Sequence, residues 1–268
     1  MSIHSLSVVH PNAKVGAGVT VGPFSYIEDD VEIGEGSYIG PNVTIYAGSR
    51  LGKNVKIFPG AVIGGEPQDL KFEGEYTTAQ IGDNTTIREY VTVNRGTAYA
   101  GTTIVGKNCL IMAYAHVAHD CVLGDNIVIA NNVNLAGHVV LDDYVIIEGQ
   151  VGVQQFVRIG QHSFIAGGSL VRKSVPPYVR AAREPLSYIG VNRIGLQRRN
   201  FSIKQINTIH EIYRILFVKG LNITNAVTEI EASVPVCQER DDVVQFISGT
   251  EKTGIIRSFN SLNDTTQV

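Results

Sequence analysis

An aliphatic residue stands at every sixth position through most of the first 171 residues of this chain. The series runs from Ile3 to Ile63, resumes from Ile81 to Val93 and runs again from Val105 to Val171, and every member is Val, Ile or Leu. The residue four positions after each member is usually small or β-branched. An α-helix would repeat its apolar face at about 3.6 residues and a half-buried strand at about two, so neither element accounts for this period.

A period of six is typical of a short strand followed by a corner. Three such strands close a triangular coil of eighteen residues, and successive coils stack about 4.8 Å apart. The aliphatic residue fills the interior of this prism, and the small residue leaves room beside it. We therefore predict an all-β solenoid, a parallel β-helix of hexapeptide repeats, with the left-handed coil that is known for such folds and is an exception to the usual crossover rule.

Two stretches interrupt the period. Residues 64–78 and residues 95–103 do not follow it, and we predict that both are loops that leave the prism. Loops on a rigid repeat scaffold are common places for binding residues. The two loops are therefore candidates for part of a functional site.

The repeat ends at Pro176–Pro177, because proline cannot donate a hydrogen bond to the ladder. From about Ser202 the apolar spacing becomes helical. We predict a left-handed β-helix over residues 1–190 and a C-terminal helical domain over residues 191–268, with a frayed end after Arg257.

Composition excludes several classes of protein. The 268 residues are 44% hydrophobic, which argues against a disordered chain. No apolar run approaches the roughly 18 residues of a membrane-spanning helix, and the first residues lack the pattern of a secretory signal. Three cysteines cannot form a complete disulfide framework. We expect a cytoplasmic protein with no stable membrane insertion.

Positive charge is concentrated in residues 168–201, in a chain whose formal net charge is −3. This stretch has a single acidic residue, Glu184, and the following basic ones: Arg172, Lys173, Arg180, Arg183, Arg193, Arg198 and Arg199. A basic region on an acidic protein favours an acidic partner or a phosphorylated ligand. Nucleic acid is not expected, because neither interleaved aromatic residues nor a known motif accompanies the charge.

Histidine supplies the candidate chemistry. His116 and His119 flank an inward valine, and Asp120 follows directly. Residues eighteen apart stack on one strip of the coil, so the period predicts which residues become neighbours across coils. The predicted exterior strip contains His119, Asp120, Gly137, His138 and Gln155.

These residue types suit general base catalysis. An imidazole with a pKa near ~6.5 accepts a proton at neutral pH, and a carboxylate on its other ring nitrogen fixes the tautomer. The amide of Gly137 can donate to an oxyanion. The strip has no Ser or Cys nucleophile, which favours direct transfer to a substrate hydroxyl.

Two other interpretations remain open from the residues themselves. Left-handed β-helices of the γ-carbonic-anhydrase type hold zinc with three histidines between subunits, but here the sequence does not identify the third ligand. Asp120 directly after His119 suits a base better than a metal site, so we expect no metal. A non-catalytic β-helix used for assembly is the other alternative.

Several short motifs occur in an order that indicates one family. In chain order they are Gln68–Lys71, Asn94–Thr97, His116–Cys121, Ala130–Asn132, Leu135–His138, Gln155–Phe156, Val175–Tyr178, Gly190–Asn192 and Arg198–Arg199. Through them nearly the whole chain resembles the UDP-N-acetylglucosamine O-acyltransferases, which catalyse the first step of lipid A biosynthesis. The resemblance implies transfer of a (3-hydroxy)acyl chain from the phosphopantetheine of acyl carrier protein to the 3-OH of UDP-N-acetylglucosamine, without a further cofactor.

The resemblance also implies roles for individual residues. His119 matches the general base, Asp120 its orienting partner, and the amide of Gly137 the oxyanion donor. Gly167 and Gly168 match positions that set acyl-chain length, where glycine leaves room for a long chain. The residues that match substrate-binding positions are Gln68, Asp69, Lys71, His116, His138, Gln155, Asn192, Arg198 and Arg199.

The family implies a homotrimer with active sites in the clefts between subunits, and a basic stretch that receives the acidic carrier protein. Three positions depart from the family pattern: Asn94 and Gln154 stand where histidine is common, and Ile194 where a Glu is often found. None of them replaces the base. The nearest alternative is the related UDP-3-O-acylglucosamine N-acyltransferase, which has an extra domain before its repeats, whereas here the period starts at Ile3.

Overall fold

The structure, a computed structural model, describes residues 2–250 and 253–259. Within these residues the chain winds through three sheets in turn, so that up to β26 every third strand belongs to the same sheet. Ser2 pairs with Thr20 and Ile3 pairs with Val21, which is a parallel register of eighteen residues per coil. The result is a parallel β-helix of triangular cross-section.

The strands are numbered β1 to β29 in chain order. Sheet 1 contains β1 (Ser2–Ile3), β4 (Thr20–Val21), β7 (Tyr38–Ile39), β10 (Lys56–Ile57), β13 (Thr86–Ile87), β16 (Leu110–Ile111), β19 (Val128–Ile129), β22 (Ile146–Ile147), β25 (Phe164–Ile165), β27 (Val179–Ala182), β28 (Ser187–Val191) and β29 (Arg257–Ser258). Sheet 2 contains β2 (Val8–Val9), β5 (Tyr26–Ile27), β8 (Thr44–Ile45), β11 (Val62–Gly65), β14 (Thr92–Asn94), β17 (His116–Val117), β20 (Asn134–Leu135), β23 (Gly152–Val153) and β26 (Leu170–Val171). Sheet 3 contains β3 (Lys14–Val15), β6 (Glu32–Ile33), β9 (Ser49–Leu51), β12 (Thr78–Ile81), β15 (Thr102–Val105), β18 (Val122–Leu123), β21 (Val140–Leu141) and β24 (Arg158–Ile159).

The interior of the prism is filled by the six-residue aliphatic series. From Val21 to Val171 every member of the series is buried, with at most 5% of its surface exposed. Ile3 is 40% exposed, because it belongs to the first coil and is covered from one side only. Each buried Val, Ile or Leu side chain contributes about 1.5–3 kcal/mol relative to exposure, so the repeat itself is the main source of stability.

The corners of the prism place polar residues at fixed heights. The third residue after each series member usually has a left-handed backbone, with φ of 59° at Asp120, 62° at His138 and 58° at His162. Asn, Asp and His adopt this conformation more readily than most residues, which suits the sequence to these corners. Side chains eighteen residues apart therefore stack along one corner.

Two loops leave the prism. Arg50 of β9 pairs with Gln80 of β12, thirty residues on, and Gln80 pairs with Ile104 of β15, twenty-four residues on. The excess over eighteen corresponds to the predicted loops near 64–78 and 95–103. The backbone N–H of Ala98 in the second loop donates to a carboxylate oxygen of Glu75 in the first at 2.8 Å, so the two loops support each other.

Four helices follow the coils: α1 (Arg193–Arg198), α2 (Ile203–Phe217), α3 (Ile223–Ser233) and α4 (Gln238–Ser248). A capping box between Ser202 and Gln205 starts α2. The hydroxyl of Tyr213 on α2 is buried and donates to the carbonyl of Pro177 at 2.5 Å, which ties the helices to the top of the prism. Among the described helices, none is both long and apolar enough to cross a membrane.

The region after β26 differs from the prediction in one respect. β27 and β28 form an antiparallel pair on sheet 1, and β29 returns to pair with β28. Residues 257–258 are therefore strand rather than helix or frayed end. Residues 260–268 of the predicted helical domain lie outside the described residues, and the domain boundary near residue 190 stays a prediction.

Candidate active site

His119 and Asp120 lie at the corner between sheets 2 and 3, in the turn that joins β17 to β18. Nδ1 of His119 is 2.8 Å from Oδ2 of Asp120. Both residues are buried, with 5% and 4% of their surfaces exposed. Since an ionised carboxylate only accepts hydrogen bonds, Nδ1 carries the proton and donates it in this bond, and the other ring nitrogen, Nε2, is left as the acceptor.

Asp120 is held by the second loop as well as by His119. The N–H of Thr97 donates to Oδ1 at 2.9 Å, and the hydroxyl of Thr97 donates to Oδ2 at 2.6 Å. The N–H of Ala100 adds a longer bond to Oδ1, at 3.3 Å. Burial alone would raise the pKa of Asp120, but the hydrogen bonds from Thr97 and His119 outweigh it, and the net effect lowers the pKa. Asp120 is therefore an anion at neutral pH.

Gly137 lies directly against the imidazole of His119. A Cβ at this position would be 2.5 Å from Cε1 and 2.6 Å from Nε2 of His119, closer than real Cβ contacts. A glycine is therefore required here for the ring to occupy its place. Within the described residues the amide of Gly137 donates no backbone hydrogen bond, so it is available to a ligand beside Nε2.

His138 stacks one coil above Asp120. Its ring lies parallel to Phe156 at 4.4 Å and meets the rings of His119 and Tyr99 edge-on at 5.0 and 4.6 Å. Burial lowers the pKa of His138, although the charge of Asp120 opposes this effect. His138 is therefore a neutral ring at pH 7.

His119, Asp120, Gly137 and His138 form a cluster that we call the His119 group. His116 and Gln155 lie at its edges. Nδ1 of His116 is 2.7 Å from the hydroxyl of Thr92, and burial followed by the charge of His119 lowers the pKa of His116. Gln155 is exposed, and its amide forms no hydrogen bond with any other described residue. It stands in the column of Gly137 but is free to turn towards a ligand.

The same cluster offers three atoms to a metal. One ligand atom from each of His119, Asp120 and His138 lies within 4.8 Å of the others. The oxygens of Asp120, however, already accept bonds from Thr97, His119 and Ala100. Zinc sites of this size use three protein ligands and an open position, and Asp120 would have to give up its bonds to serve as one of them. The arrangement fits a hydrogen-bonded base better than a metal centre.

The predicted sugar-binding residues lie on the first loop. Gln68 and Lys71 are exposed, and a carboxylate oxygen of Asp69 accepts the N–H of Lys71 at 3.0 Å. Asp69 is close enough for its charge to act on His138, as one of the smaller contributions to the pKa of that ring. Asp69 is thus the residue of this set that lies near His138.

Asn192 and Arg199 are at a different corner, between sheets 3 and 1. The guanidinium of Arg199 lies over the ring of Tyr144 and donates to its carbonyl at 3.2 Å. The amide of Asn192 donates to the carbonyl of His162 at 2.8 Å, and its oxygen caps α1 through the N–H of Gly195. Arg198 is exposed. Within one chain, the structure does not bring this second group together with His119.

Gly167 and Gly168 lie at the third corner, between β25 of sheet 1 and β26 of sheet 2. The N–H of Gly167 donates to a carboxylate oxygen of Glu148 at 3.0 Å. Gly168 has φ of 72°, and a Cβ there would meet no atom within 4 Å. The surface at Gly168 is therefore open.

Comparison with known proteins gives one consistent answer. Residues 175–256 match the family described as Udp N-acetylglucosamine O-acyltransferase, Domain 2, and residues 30–65 and 102–137 match bacterial transferase hexapeptide repeats. An acyl-[acyl-carrier-protein]–UDP-N-acetylglucosamine O-acyltransferase from Trichlorobacter lovleyi is 46% identical over 261 residues, which cover 96% of this chain and all of the relative. This chain belongs to the UDP-N-acetylglucosamine O-acyltransferase family.

Other relatives agree with this assignment. The protein of the same name from Paracidovorax citrulli is 51% identical over 86% of this chain and 88% of its own length. The crystal structure of a UDP-N-acetylglucosamine acyltransferase from Bacteroides fragilis is 49% identical, covers 95% of this chain and 99% of its own, and superimposes with a TM-score of 0.93. The predictions of an acyltransferase and of a left-handed β-helix with C-terminal helices are confirmed.

The structure shows the surroundings of the three residues that depart from the family pattern. Asn94 is buried, and its amide donates to the carbonyl of Glu66 at 2.9 Å, so it fastens the start of the first loop. Gln154 is exposed, and Ile194 is 59% exposed. Of the three departures, Asn94 is thus the one with an evident structural role, which is its hydrogen bond to the first loop.

Sequence reasoning missed three residues that the structure brings to the His119 group. Thr97 and Phe156 were part of the family motifs but had no assigned role, and Tyr99 lay in the interruption of the repeat. Phe156 was predictable, because it stands eighteen residues after His138. Thr97 and Tyr99 belong to a loop without a period, and spacing carries no signal for them.

His162 lies at the corner between sheets 3 and 1, and its burial there predicts how the stability of the protein depends on pH. Burial, helped by the charge of Arg199, lowers the pKa of His162 to about 4. The unfolded chain, with a pKa near ~6.5, binds more protons than the folded one between these values, so stability falls as pH falls through this window, by roughly 3 kcal/mol at most. Replacing His162 with Phe is expected to flatten the dependence of the melting temperature on pH between about 6.5 and 4.

The substitution suits the backbone, because Phe24 and Phe156 occupy equivalent corners with φ of 61° and 64°. His210→Phe, at an exposed histidine on α2, is the matched control and should leave the slope unchanged. If the melting temperature of His162→Phe fell with pH as steeply as that of the wild type, the pH dependence would not arise from His162.

Proposed function

We propose that this chain transfers an acyl group from acyl carrier protein to the 3-OH of UDP-N-acetylglucosamine, with His119 as the general base. The observation that carries the proposal is the His119–Asp120 pair, in which Asp120 holds Nδ1 and leaves Nε2 beside Gly137, whose amide donates to no other group among the described residues. Base and oxyanion donor are then adjacent, as direct acyl transfer requires. The names of the relatives give the same donor and acceptor.

The reaction proceeds by one addition and one elimination. Nε2 of His119 takes the proton of the sugar hydroxyl while the hydroxyl oxygen forms a bond to the carbonyl carbon of the thioester. The N–H of Gly137 stabilises the negative charge that forms on the carbonyl oxygen. The intermediate expels the pantetheine sulfur, which takes the proton from the imidazolium, and Asp120 stabilises the imidazolium in between.

Binding of the acceptor uses the first loop and two corners of the prism. Gln68, Asp69 and Lys71 hold the sugar from the first loop, while His116, His138 and Gln155 line the surface beside the base. Asn192, Arg198 and Arg199 take the nucleotide part, where Nη1 of Arg199 is buried, has no partner among the described residues and can donate to an acceptor oxygen. A guanidinium of this kind suits a diphosphate.

A homotrimer completes the site. His119 is at the corner between sheets 2 and 3, whereas Arg199 contacts Tyr144 at the corner between sheets 3 and 1. A reaction that uses both groups needs them in one cleft, and a second copy can supply the missing corner. Because the two corners differ, the interface is heterologous, and a threefold rotation between copies closes it into a ring.

The carrier protein approaches the basic region near the last coils. A depression of about 410 Å³ there is lined by Leu170, Arg172, Lys173 and Arg257, among others. The side chains of Arg172 and Glu184 pair at 2.5 Å but stay 56% exposed, so their charges remain accessible to a partner. An acidic carrier protein in the cytoplasm fits this surface. The open space at Gly168 favours a long acyl chain.

An acyl-transfer assay tests the proposal. The purified chain is incubated with UDP-N-acetylglucosamine and acyl or 3-hydroxyacyl carrier proteins of several lengths, and products are identified by mass spectrometry. We expect one free carrier thiol for each ester formed, with the best rate for a long donor. A folded protein that transfers no acyl group from any donor would refute the proposal, and stoichiometric zinc in that protein would favour the metalloenzyme alternative.

A further inference from the structure

Thr97 donates two of the hydrogen bonds that hold Asp120, although the eighteen-residue period does not place Thr97 beside Asp120. Its hydroxyl donates to Oδ2, the oxygen that also accepts Nδ1 of His119, and its N–H donates to Oδ1. Thr97 is 7% exposed, and the side chain of Asp120 is fully buried. These contacts are short and shielded from water, so they fix the carboxylate in one orientation.

The coil itself holds the backbone of Asp120 and leaves its side chain to the loop. The N–H of Asp120 donates to the hydroxyl of Thr103 at 2.8 Å, which anchors the corner. Asp120 has left-handed backbone geometry, with φ of 59°, and this directs its side chain towards the second loop. Without the hydroxyl of Thr97, Oδ2 would keep His119 as its partner but lose the shorter of the two bonds that hold it in place.

We infer that Thr97 is a positioning residue, whose hydroxyl holds Asp120 in the plane that keeps Nδ1 of His119 protonated and Nε2 directed at the acceptor hydroxyl. The inference rests on the proposed acyl transfer, because it assigns Thr97 to the orientation of its base. Thr97 acts through Asp120 and does not touch the reacting atoms. Its effect therefore belongs to kcat rather than to the binding of UDP-N-acetylglucosamine.

The test is the substitution Thr97→Val, which removes the hydroxyl and preserves both shape and backbone N–H. We expect kcat to fall about tenfold, the size of one lost hydrogen bond to a charged group, with KM for the sugar nucleotide within about twofold. Thr97→Ser keeps the hydroxyl and should recover most of the rate. Thr97→Ala also lacks the hydroxyl and replaces the valine variant if that variant does not fold.

The matched control is Thr102→Val, on the strand that follows the same loop. The hydroxyl of Thr102 accepts from that of Thr78 at 2.8 Å and forms no hydrogen bond with Thr97, His119 or Asp120 in the described part of the chain. This variant should keep the wild-type rate. It thus separates loss of the Asp120 contact from general loosening of the loop.

A double-mutant cycle tests whether Thr97 works through Asp120. In an Asp120→Ala background, Thr97→Val should change kcat by less than about threefold, since the group it positions is gone. A full tenfold effect in that background, an effect on KM alone, or a wild-type rate in Thr97→Val would each overturn the inference. Failure of the proposed function is distinct, because the wild-type chain itself would then form no product.

Discussion

Replacing His119 with alanine is expected to lower the rate of acyl transfer by about 1000-fold, because general base catalysis typically contributes factors of 100 to 10,000. Removing the ring takes away the proton acceptor, while the amide of Gly137 and the substrate contacts remain. The measurement is the initial rate of ester formation with saturating donor and acceptor. KM should change far less than kcat, since the base acts in the transition state.

The structure also predicts what His119→Ala leaves intact. The side chain stands at a corner of the prism, outside the aliphatic interior, so the assembly and its melting temperature should stay close to wild type. His210→Ala, at an exposed position on α2, is the control and should retain full activity. Loss of assembly together with activity would instead make His119 a structural residue and contradict the proposed role.

The coiled part of the fold could be predicted almost completely, because one rule repeats. A six-residue period with Val, Ile or Leu at each step defines strand length, corner position and interior at once, and the buried series from Val21 to Val171 follows it. The return of the chain at Arg257–Ser258 to sheet 1 could not be predicted. Two residues pair there through backbone bonds, and backbone pairing of a lone short strand leaves no periodic pattern in the side chains.

The candidate site also contains residues that the period predicts and residues that it does not predict. The eighteen-residue coil placed Gly137 against His119 and His138 above Asp120, and the structure brings these side chains together. The same rule could not predict Thr97, whose loop has no register with the coil. Nor could it predict that Asn192 uses its amide to cap α1 and to bond His162, because both partners depend on how the helices dock.

Two inactive variants are expected to restore activity to each other when their subunits mix. The first carries His119→Ala, and the second carries Arg198→Ala together with Arg199→Ala. In the proposed homotrimer each variant alone lacks one group at every site and should be inactive or nearly so. In every mixed trimer, one site in three combines an intact base from one copy with intact arginines from its neighbour, so about one third of the sites in the mixed trimers should be active.

Recovery depends on the positions of the two groups in one chain. His119 follows β17 and precedes β18, whereas Arg199 lies on Tyr144, in the turn from β21 to β22, at another corner of the prism. Co-expression with two different tags and tandem purification isolates the mixed trimers, and the rate of ester formation measures recovery. Parents that are mixed after folding, without subunit exchange, are the control and should stay inactive. If each chain contained a complete site, every site in a mixed trimer would carry one of the two defects and no activity would return, so even partial recovery requires that neighbouring copies share the site.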